Sequence, residues 1–267
     1  METDLNTHVQ LGRTGLTVSR IGIASGYGAS VGVIEKAFHD YRINYFYWST
    51  PRSRDMKHAL KNLAKTNRDE IVIVLQSYDH SGLLTERAVN KGLRALGIEY
   101  ADILLLGWYN YFPKRIVEKA FKIREKGKIK HIALSGHNRK LFGKLAADPE
   151  SPIDVFMCRY NAVHRGAEND IFPQLDPDPE KRPGITTYTT TCWRKLLDPK
   201  KMPPGEVPVP AADCYRFALS HPDVNVAISG PATMDQLDQN MLALEQGALS
   251  TEEMSRIKKI GDYIYKK

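Results

Sequence analysis

The sequence has few cysteines and no long hydrophobic run. Its three cysteines, Cys158, Cys192 and Cys214, form no C-x-x-C pair. An odd, scattered set of thiols excludes a disulfide framework and a zinc ribbon, and it is typical of a reducing compartment. No apolar segment approaches the roughly 18 residues that span a bilayer, and the first residues lack the basic and apolar regions of a signal peptide. We therefore expect a cytoplasmic protein that enters no membrane.

Several other features are also missing. The 267 residues contain no Gly/Ser-rich or charged linker, so we expect one domain over residues 1–267. No paired carboxylates, G-x-S-x-G motif or metal-ligand cluster occurs, and we expect no bound metal ion. The net charge of +7 comes from basic residues that are mixed with acids. Its densest stretches, residues 52–57 and 195–201, lack the interleaved aromatic residues of a nucleic-acid surface. The charge therefore favours an anionic cofactor or small substrate.

Short β-rich runs alternate with amphipathic helical patterns along the chain, which is typical of a parallel sheet with crossover helices. Eight runs of this kind predict a closed barrel. They lie near residues 19–24, 43–47, 70–75, 102–107, 130–135, 153–158, 185–190 and 224–228. We expect Thr85 to cap the helix after the third run. Ser250 and Glu253 predict a capping box at the start of the last helix.

Five segments, spread over nearly the whole chain, carry recognisable motifs. They are residues 11–22, 43–46, 93–102, 127–135 and 236–240. In order and spacing they resemble the aldo-keto reductases. The resemblance implies an α/β fold, a (β/α)8 TIM barrel with an N-terminal β-hairpin and an extra C-terminal helix.

The same resemblance locates the reducing tetrad of that family, which is Asp, Tyr, Lys and His. Here those positions carry Tyr47, Arg52, Gln76 and Gly107. An arginine stays protonated at working pH, so Arg52 cannot act as the general acid. If hydride transfer is retained, Tyr47 or a histidine such as His137 must supply the proton. We therefore predict a catalytic group of Tyr47, Arg52, Gln76 and His137.

The cofactor positions keep more of the family pattern. Tyr188 stands where the family stacks an aromatic ring on the nicotinamide, and Ser135 stands where it binds the carboxamide. Gly230, Gln236 and Asn240 match the segment that holds the adenosine phosphate. The resemblance therefore implies NADP(H) as cofactor. Two positions depart from the pattern, because Gly136 and Met157 replace the other carboxamide partners.

The remaining side chains at the predicted strand ends form an aromatic wall with a few cations. Trp48, Trp108 and Arg159 are the predicted substrate contacts. Arginine can hold a carboxylate or phosphate through two hydrogen bonds, so we expect a small anionic substrate. The alternative for Arg159 and Arg165 is a structural salt bridge to an acid of the nearby loop.

Two hypotheses for function follow from these residues. The first is an aldo-keto reductase-like oxidoreductase that uses NADP(H) on a small, anionic, carbonyl-type substrate with non-standard catalytic residues. The second is a non-redox lyase or isomerase, or a catalytically silent binding protein, on the same fold. The altered tetrad favours the second hypothesis, and the retained cofactor positions favour the first. The sequence gives no indication of the oligomeric state.

Overall fold

The computed structural model describes residues 5–48 and 53–266. It begins with a short antiparallel hairpin in which Val9 pairs with Val18. The hairpin strands are β1, Val9–Gln10, and β2, Thr17–Val18. Eight parallel strands then close a barrel in the order β10-β3-β4-β5-β6-β7-β8-β9. These are β3 Ile21–Ala24, β4 Tyr45–Trp48, β5 Val72–Ser77, β6 Ala101–Leu106, β7 Ile129–Ser135, β8 Val155–Arg159, β9 Gly184–Tyr188 and β10 Val226–Ser229. The predicted (β/α)8 barrel and its N-terminal hairpin are confirmed.

Helices follow the barrel strands and pack on their outer face. They are α1 Val31–His39, α2 Arg54–Thr66, α3 Gly82–Leu96, α4 Lys114–Glu125, α5 Arg139–Ala146, α6 Ala167–Asp170, α7 Ala211–Leu219, α8 Met234–Glu245 and α9 Thr251–Tyr265. Helix α9 is the extra C-terminal helix expected from the resemblance. None of the helices in the described part of the chain is long and apolar enough to cross a membrane.

Two helix starts test the sequence predictions directly. The capping box at α9 is confirmed, because the Ser250 side chain accepts from the Glu253 N–H and Glu253 accepts from the Ser250 N–H. The prediction for α3 is wrong, since that helix begins at Gly82, after Ser81. The Thr85 hydroxyl instead donates to the Ser81 carbonyl oxygen at 2.9 Å. Helix α3 therefore extends about one turn further towards the N-terminus than the pattern of apolar residues indicated.

Side chains alternate between the two faces of each strand, so each strand contributes to two separate clusters. In β4, Tyr45 and Tyr47 belong to the cluster inside the barrel. Phe46 and Trp48 belong to the larger cluster between the barrel and its helices. This alternation decides which residues at a strand end reach the barrel mouth.

The hairpin covers the amino-terminal end of the barrel. Leu11 is fully buried in the inner cluster. A Cβ at Gly184, the first residue of β9, would lie 2.7 Å from Cγ of Leu11, so the close approach requires glycine. The floor of the barrel is therefore closed, and its open end is the one where the strands finish.

Candidate active site at the carboxyl ends of the strands

Inward-facing residues at the strand ends form the mouth of the barrel. Tyr47 lies beside Val74 in the register of β4 and β5, and Gln76 follows one inward position later. Arg159 and Tyr188 are paired across β8 and β9. Gly107 and Gly230 follow the last residues of β6 and β10. The structure thus brings together most of the residues predicted for catalysis and cofactor binding.

Gln76 and Gly107 are direct neighbours at this mouth. A Cβ at position 107 would lie 2.5 Å from Nε2 of Gln76 and 2.7 Å from Cδ1 of Tyr78. Glycine at 107 therefore leaves the space that these two side chains occupy. Gln76 is 2% exposed, and within the described residues its Oε1 has no hydrogen-bond partner. A buried amide oxygen without a partner carries a desolvation cost, so it indicates a position for a donor from a bound molecule.

Two phenols meet above Gln76. The hydroxyl oxygens of Tyr47 and Tyr78 lie 3.4 Å apart, and either can donate. The Tyr78 ring lies 4.4 Å from the Trp108 ring, centroid to centroid. Trp108 is 65% exposed and has a backbone φ of +62°. An exposed tryptophan in the left-handed region is unusual, and such positions cluster at binding sites.

Tyr188 presents its ring on the opposite side of the mouth. Its hydroxyl lies 3.3 Å from Nδ1 of His137, which is exposed. Burial raises the pKa of Tyr188 to about 12, so the phenol stays protonated at neutral pH. Ser135 is buried at the end of β7, where its carbonyl oxygen accepts from the Tyr109 N–H at 2.9 Å. Tyr188, His137 and Ser135 therefore share one wall of the mouth.

Arg159 supplies positive charge to the same wall. Its guanidinium lies 5.6 Å from the Trp193 ring centroid, and no carboxylate in the described residues lies within ion-pair distance. Burial lowers the pKa of the neighbouring His164 to about 4, and the charges of Arg159 and Lys195 act in the same direction. This region is therefore cationic and has a neutral histidine. The structural salt bridge considered for Arg159 does not form.

The segment predicted to hold the adenosine end of a cofactor lies across the mouth. Gln236 Oε1 accepts from the Ala232 N–H at 2.8 Å, and Asn240 Nδ2 donates to Ser229 Oγ at 2.8 Å. The Tyr27 ring lies over Gly230, because a Cβ there would be 2.5 Å from Cγ of Tyr27. These side chains hold the turn between β10 and α8 in shape. Gln236 Oε1 and Asn240 Nδ2 are therefore already engaged within the protein.

One predicted site residue, Trp48, is not brought to the mouth in the described structure. Trp48 is buried in the cluster between the barrel and the helices, because it alternates with Tyr47. Arg52 lies outside the described residues. Within residues 5–48 and 53–266, no three His, Cys, Asp or Glu side chains are grouped in a way that could hold a metal ion.

Sequence reasoning gave no role to Tyr78 and did not consider Trp193. The contact of Tyr78 with Gly107 depends on how β5 and β6 pair. In that pairing Ser77 lies beside Leu106, so the residues that follow are neighbours. The signal in the sequence was Gly107 itself, because it stands at the position of the tetrad histidine of the aldo-keto reductases.

The chain matches the model of the Aldo/keto reductase family over residues 45–177 and 206–262. It is 22% identical over 300 residues to an L-galactose dehydrogenase from Arabidopsis thaliana, covering 94% of this chain and 92% of that protein. The holo form of aldo-keto reductase AKR11C1 from Bacillus halodurans has a similar fold, with a TM-score of 0.77 at 17% identity. That match covers 95% of this chain and 96% of the other. A putative aldo-keto reductase from Pseudomonas aeruginosa has a TM-score of 0.70 at 20% identity, covering 92% and 96% of the two chains.

Proposed function

The chain belongs to the aldo/keto reductase family, and from that premise we propose that it is an oxidoreductase that binds NADP(H) and reduces a small anionic carbonyl compound. Arg159 carries the proposal. It is an inward-facing guanidinium at the mouth, and no described carboxylate neutralises it. An unpaired arginine beside aromatic rings is suited to bind a carboxylate through two hydrogen bonds.

The nicotinamide end of the mouth suits the cofactor. Tyr188 offers a ring face at the mouth, and Ser135 lies near the end of the adjacent β7. Met157, beside Ser135 in the register of β7 and β8, offers no amide. At the adenosine end, the side chains of Gln236 and Asn240 are already bonded within the protein. We therefore expect weaker NADP(H) binding than in a family member that has the full set of contacts, by about fivefold for each lost hydrogen bond.

Besides the charged Arg159, the mouth has two neutral hydrogen-bond donors, Gln76 and Tyr47. Gln76 brings an amide next to Gly107, and Tyr47 brings a phenol. Such groups stabilise the negative charge that develops on a carbonyl oxygen, and a phenol can also release a proton to it. When bound, the reduced nicotinamide supplies the hydride. Arg159 would hold the anionic end of the substrate while the carbonyl end points to Gln76.

A non-redox reaction is the second candidate, and one observation favours it. Gln76 replaces a lysine and Gly107 replaces a histidine, so no cation from these positions tunes a phenol. Neutral donors around a carbonyl oxygen also stabilise an enolate, which is what an isomerase or lyase requires. His137, which is exposed and close to Tyr188, is the available base in that case.

Titration with NADPH and NADH separates the two candidates. Trp108 and Trp193 are exposed near the mouth, so bound nucleotide should quench their fluorescence. Replacement of Tyr188 by alanine should weaken binding, whereas Tyr265→Ala, at an exposed position in α9, should not. If millimolar NADPH and NADH both leave the fluorescence and the calorimetric heat unchanged, the oxidoreductase proposal is wrong.

A further inference from the structure

We propose that Tyr78 is the proton donor of this active site and that Tyr47 is the group that donates to it. The assignment rests on the proposed function, because it requires a carbonyl oxygen that becomes an alkoxide. It differs from the sequence-based expectation, in which Tyr47 itself gives up the proton. The observation behind it is the contact of Tyr78 with Gly107 and Gln76.

Tyr78 occupies the place that a side chain at position 107 would take. The Cδ1 and Cε1 atoms of its ring lie 2.7 and 2.9 Å from the position of a Cβ there. Its ring also packs against the Trp108 ring, with the two centroids 4.4 Å apart. Packing therefore holds the Tyr78 ring beside Gln76, where both side chains border Gly107. The side chain remains 38% exposed, so a small molecule in the mouth can reach the hydroxyl.

The electrostatic influence of Tyr78 reaches Tyr188 and contributes to the raised pKa of that phenol, although burial is the main cause. A carbonyl group bound against Gln76 would lie beside Tyr78, because both side chains border Gly107. Tyr47 lies on the inward face of β4, partly buried against the inner cluster, and its hydroxyl meets the Tyr78 hydroxyl.

In this arrangement the Tyr47 hydroxyl stabilises the anion that forms on Tyr78. At 3.4 Å its bond to Tyr78 is long for an O–H···O contact. Catalytic hydrogen bonds commonly tighten when substrate is bound. A hydrogen bond donated to the phenolate left on Tyr78 would stabilise that anion, and hydrogen bonds to charged groups are the stronger ones. The hydrogen bond from Tyr47 therefore stabilises the Tyr78 phenolate in the way that a neighbouring cation would.

The proposed step balances as follows. The carbonyl carbon accepts a hydride, the two π electrons move onto the oxygen, and that oxygen takes the proton of Tyr78. A bound reduced nicotinamide would supply this hydride and would itself be oxidised. Tyr78 regains a proton from Tyr47, and Tyr47 regains one from water. The product is the alcohol.

Kinetics of three tyrosine variants test the assignment with 4-carboxybenzaldehyde and succinic semialdehyde as probes. Tyr78→Phe should lower kcat by about 10² to 10⁴ while leaving the Kd for NADPH within about threefold. Tyr47→Phe should lower kcat by about 10- to 100-fold, because it removes one hydrogen bond to a charged group. Tyr111→Phe is the matched control, since Tyr111 is exposed in the loop after β6, and it should behave as wild type.

A second measurement needs neither turnover nor cofactor. Tyrosine labelled with carbon-13 at Cζ reports phenol ionisation by NMR, and the Tyr78 and Tyr47 signals are assigned by their loss in the two variants. If Tyr47 donates to the Tyr78 phenolate, Tyr47→Phe should raise the pKa of Tyr78, and Tyr111→Phe should leave it unchanged. A merely packed Tyr78 would titrate alike in both variants.

The outcomes distinguish the two proposals. A Tyr78→Phe enzyme that keeps wild-type kcat overturns the assignment of Tyr78 and leaves the oxidoreductase proposal standing. If the pKa of Tyr78 is the same in Tyr47→Phe as in wild type, the proposed hydrogen bond between the two phenols is wrong. A wild-type protein that binds neither nucleotide and turns over neither probe overturns the proposed function, and the role of Tyr78 with it.

Discussion

At the scale of single residues, Arg159 and Arg165 differ in what surrounds them. The Arg165 guanidinium donates to the carbonyl oxygens of Ala162 and Lys258 and to Asp262, at distances of 2.6 to 3.2 Å. These bonds fix α9 to the loop after β8. Arg159 faces Trp193, and no carboxylate of the described residues lies within ion-pair distance of it. One arginine is therefore used by the fold, and the other remains available to a ligand.

The first prediction concerns substrate choice by Arg159. Replacement by glutamine should raise the KM for 4-carboxybenzaldehyde about 10- to 100-fold, because a charge-assisted bond to the carboxylate is lost. The kcat should change little if the bond is equally strong in the ground and transition states. For the same reason, wild type should reduce 4-nitrobenzaldehyde far less efficiently than the carboxylated probe. Equal kcat/KM for the two aldehydes would contradict this role.

The second prediction concerns Gly107. A methyl group there would meet Gln76 and Tyr78 at distances below 3 Å, so Gly107→Ala should displace the Tyr78 ring from the mouth. We expect kcat to fall towards the level of Tyr78→Phe, while nucleotide affinity and thermal midpoint change little. Gly32→Ala is the control, because its Cβ would meet only ordinary contacts at 3.5 Å or more. A fully active Gly107→Ala enzyme would show that the Tyr78 position is not needed.

At the scale of elements, the sequence predicted all eight barrel strands, because each is a short apolar run between turn signals. Their ends differed from the structure by at most two residues, as at β5, where Gln76 and Ser77 still belong to the strand. The placement of Trp48 was missed, since the side on which it lies depends on strict alternation after Tyr47. The contact of Tyr78 with Gly107 was missed because it arises from the register of two strands. Local patterns do not encode that register.

The third prediction concerns the start of α9. Ser250→Ala removes the side-chain acceptor for the Glu253 N–H and should lower the free energy of unfolding by about 1 kcal/mol. Glu253 also accepts from the Arg216 guanidinium at 2.9 Å. Ser255→Ala, an exposed substitution of the same kind inside the helix, should have no cost or a slight benefit. Urea unfolding of both variants measures the difference, and equal midpoints would contradict the capping role.

The fourth prediction concerns the loops that carry His164 and Cys192. The Sγ atom of Cys192 lies 3.7 Å from Nδ1 of His164. Because the pKa of His164 is about 4 in the folded protein, against 6.5 for the ordinary side chain, the unfolded state binds more protons between these values. Stability should therefore fall as the pH drops from about 6.5 towards 4.

His131 and His221 also have lowered pKa values through burial, so they act in the same direction as His164. His164→Gln should remove only its own share of the acid sensitivity. Thermal midpoints measured across this pH range check it, with His8→Gln, at a histidine near the chain start, as the matched variant. An unchanged pH slope in His164→Gln would contradict the buried neutral state.

At the scale of the whole molecule, the barrel joins distant parts of the chain. β10 pairs with β3, with Ala227 beside Ile21. The floor is closed by residues near the start of the chain, and the mouth is built from the loops at the other end. In such barrels the floor contributes stability and the mouth carries the reaction. We propose that residues 1–267 form one domain that unfolds in a single transition.

The last prediction follows from this separation of the two ends. Leu11 is fully buried against Gly184 and Val18 in the inner cluster, so Leu11→Ala should lower the free energy of unfolding by about 2 to 5 kcal/mol. Leu242→Ala, at an exposed position in α8, should cost little. The dissociation constant for NADPH should be the same in Leu11→Ala and wild type below the thermal transition, because Leu11 lies beside the first residue of β9, at the end of the barrel opposite the mouth. If Leu11→Ala unfolds at a lower temperature but binds NADPH as tightly as wild type, the floor and the mouth of the barrel are independent of each other. If the affinity falls together with the stability, the floor and the mouth are coupled.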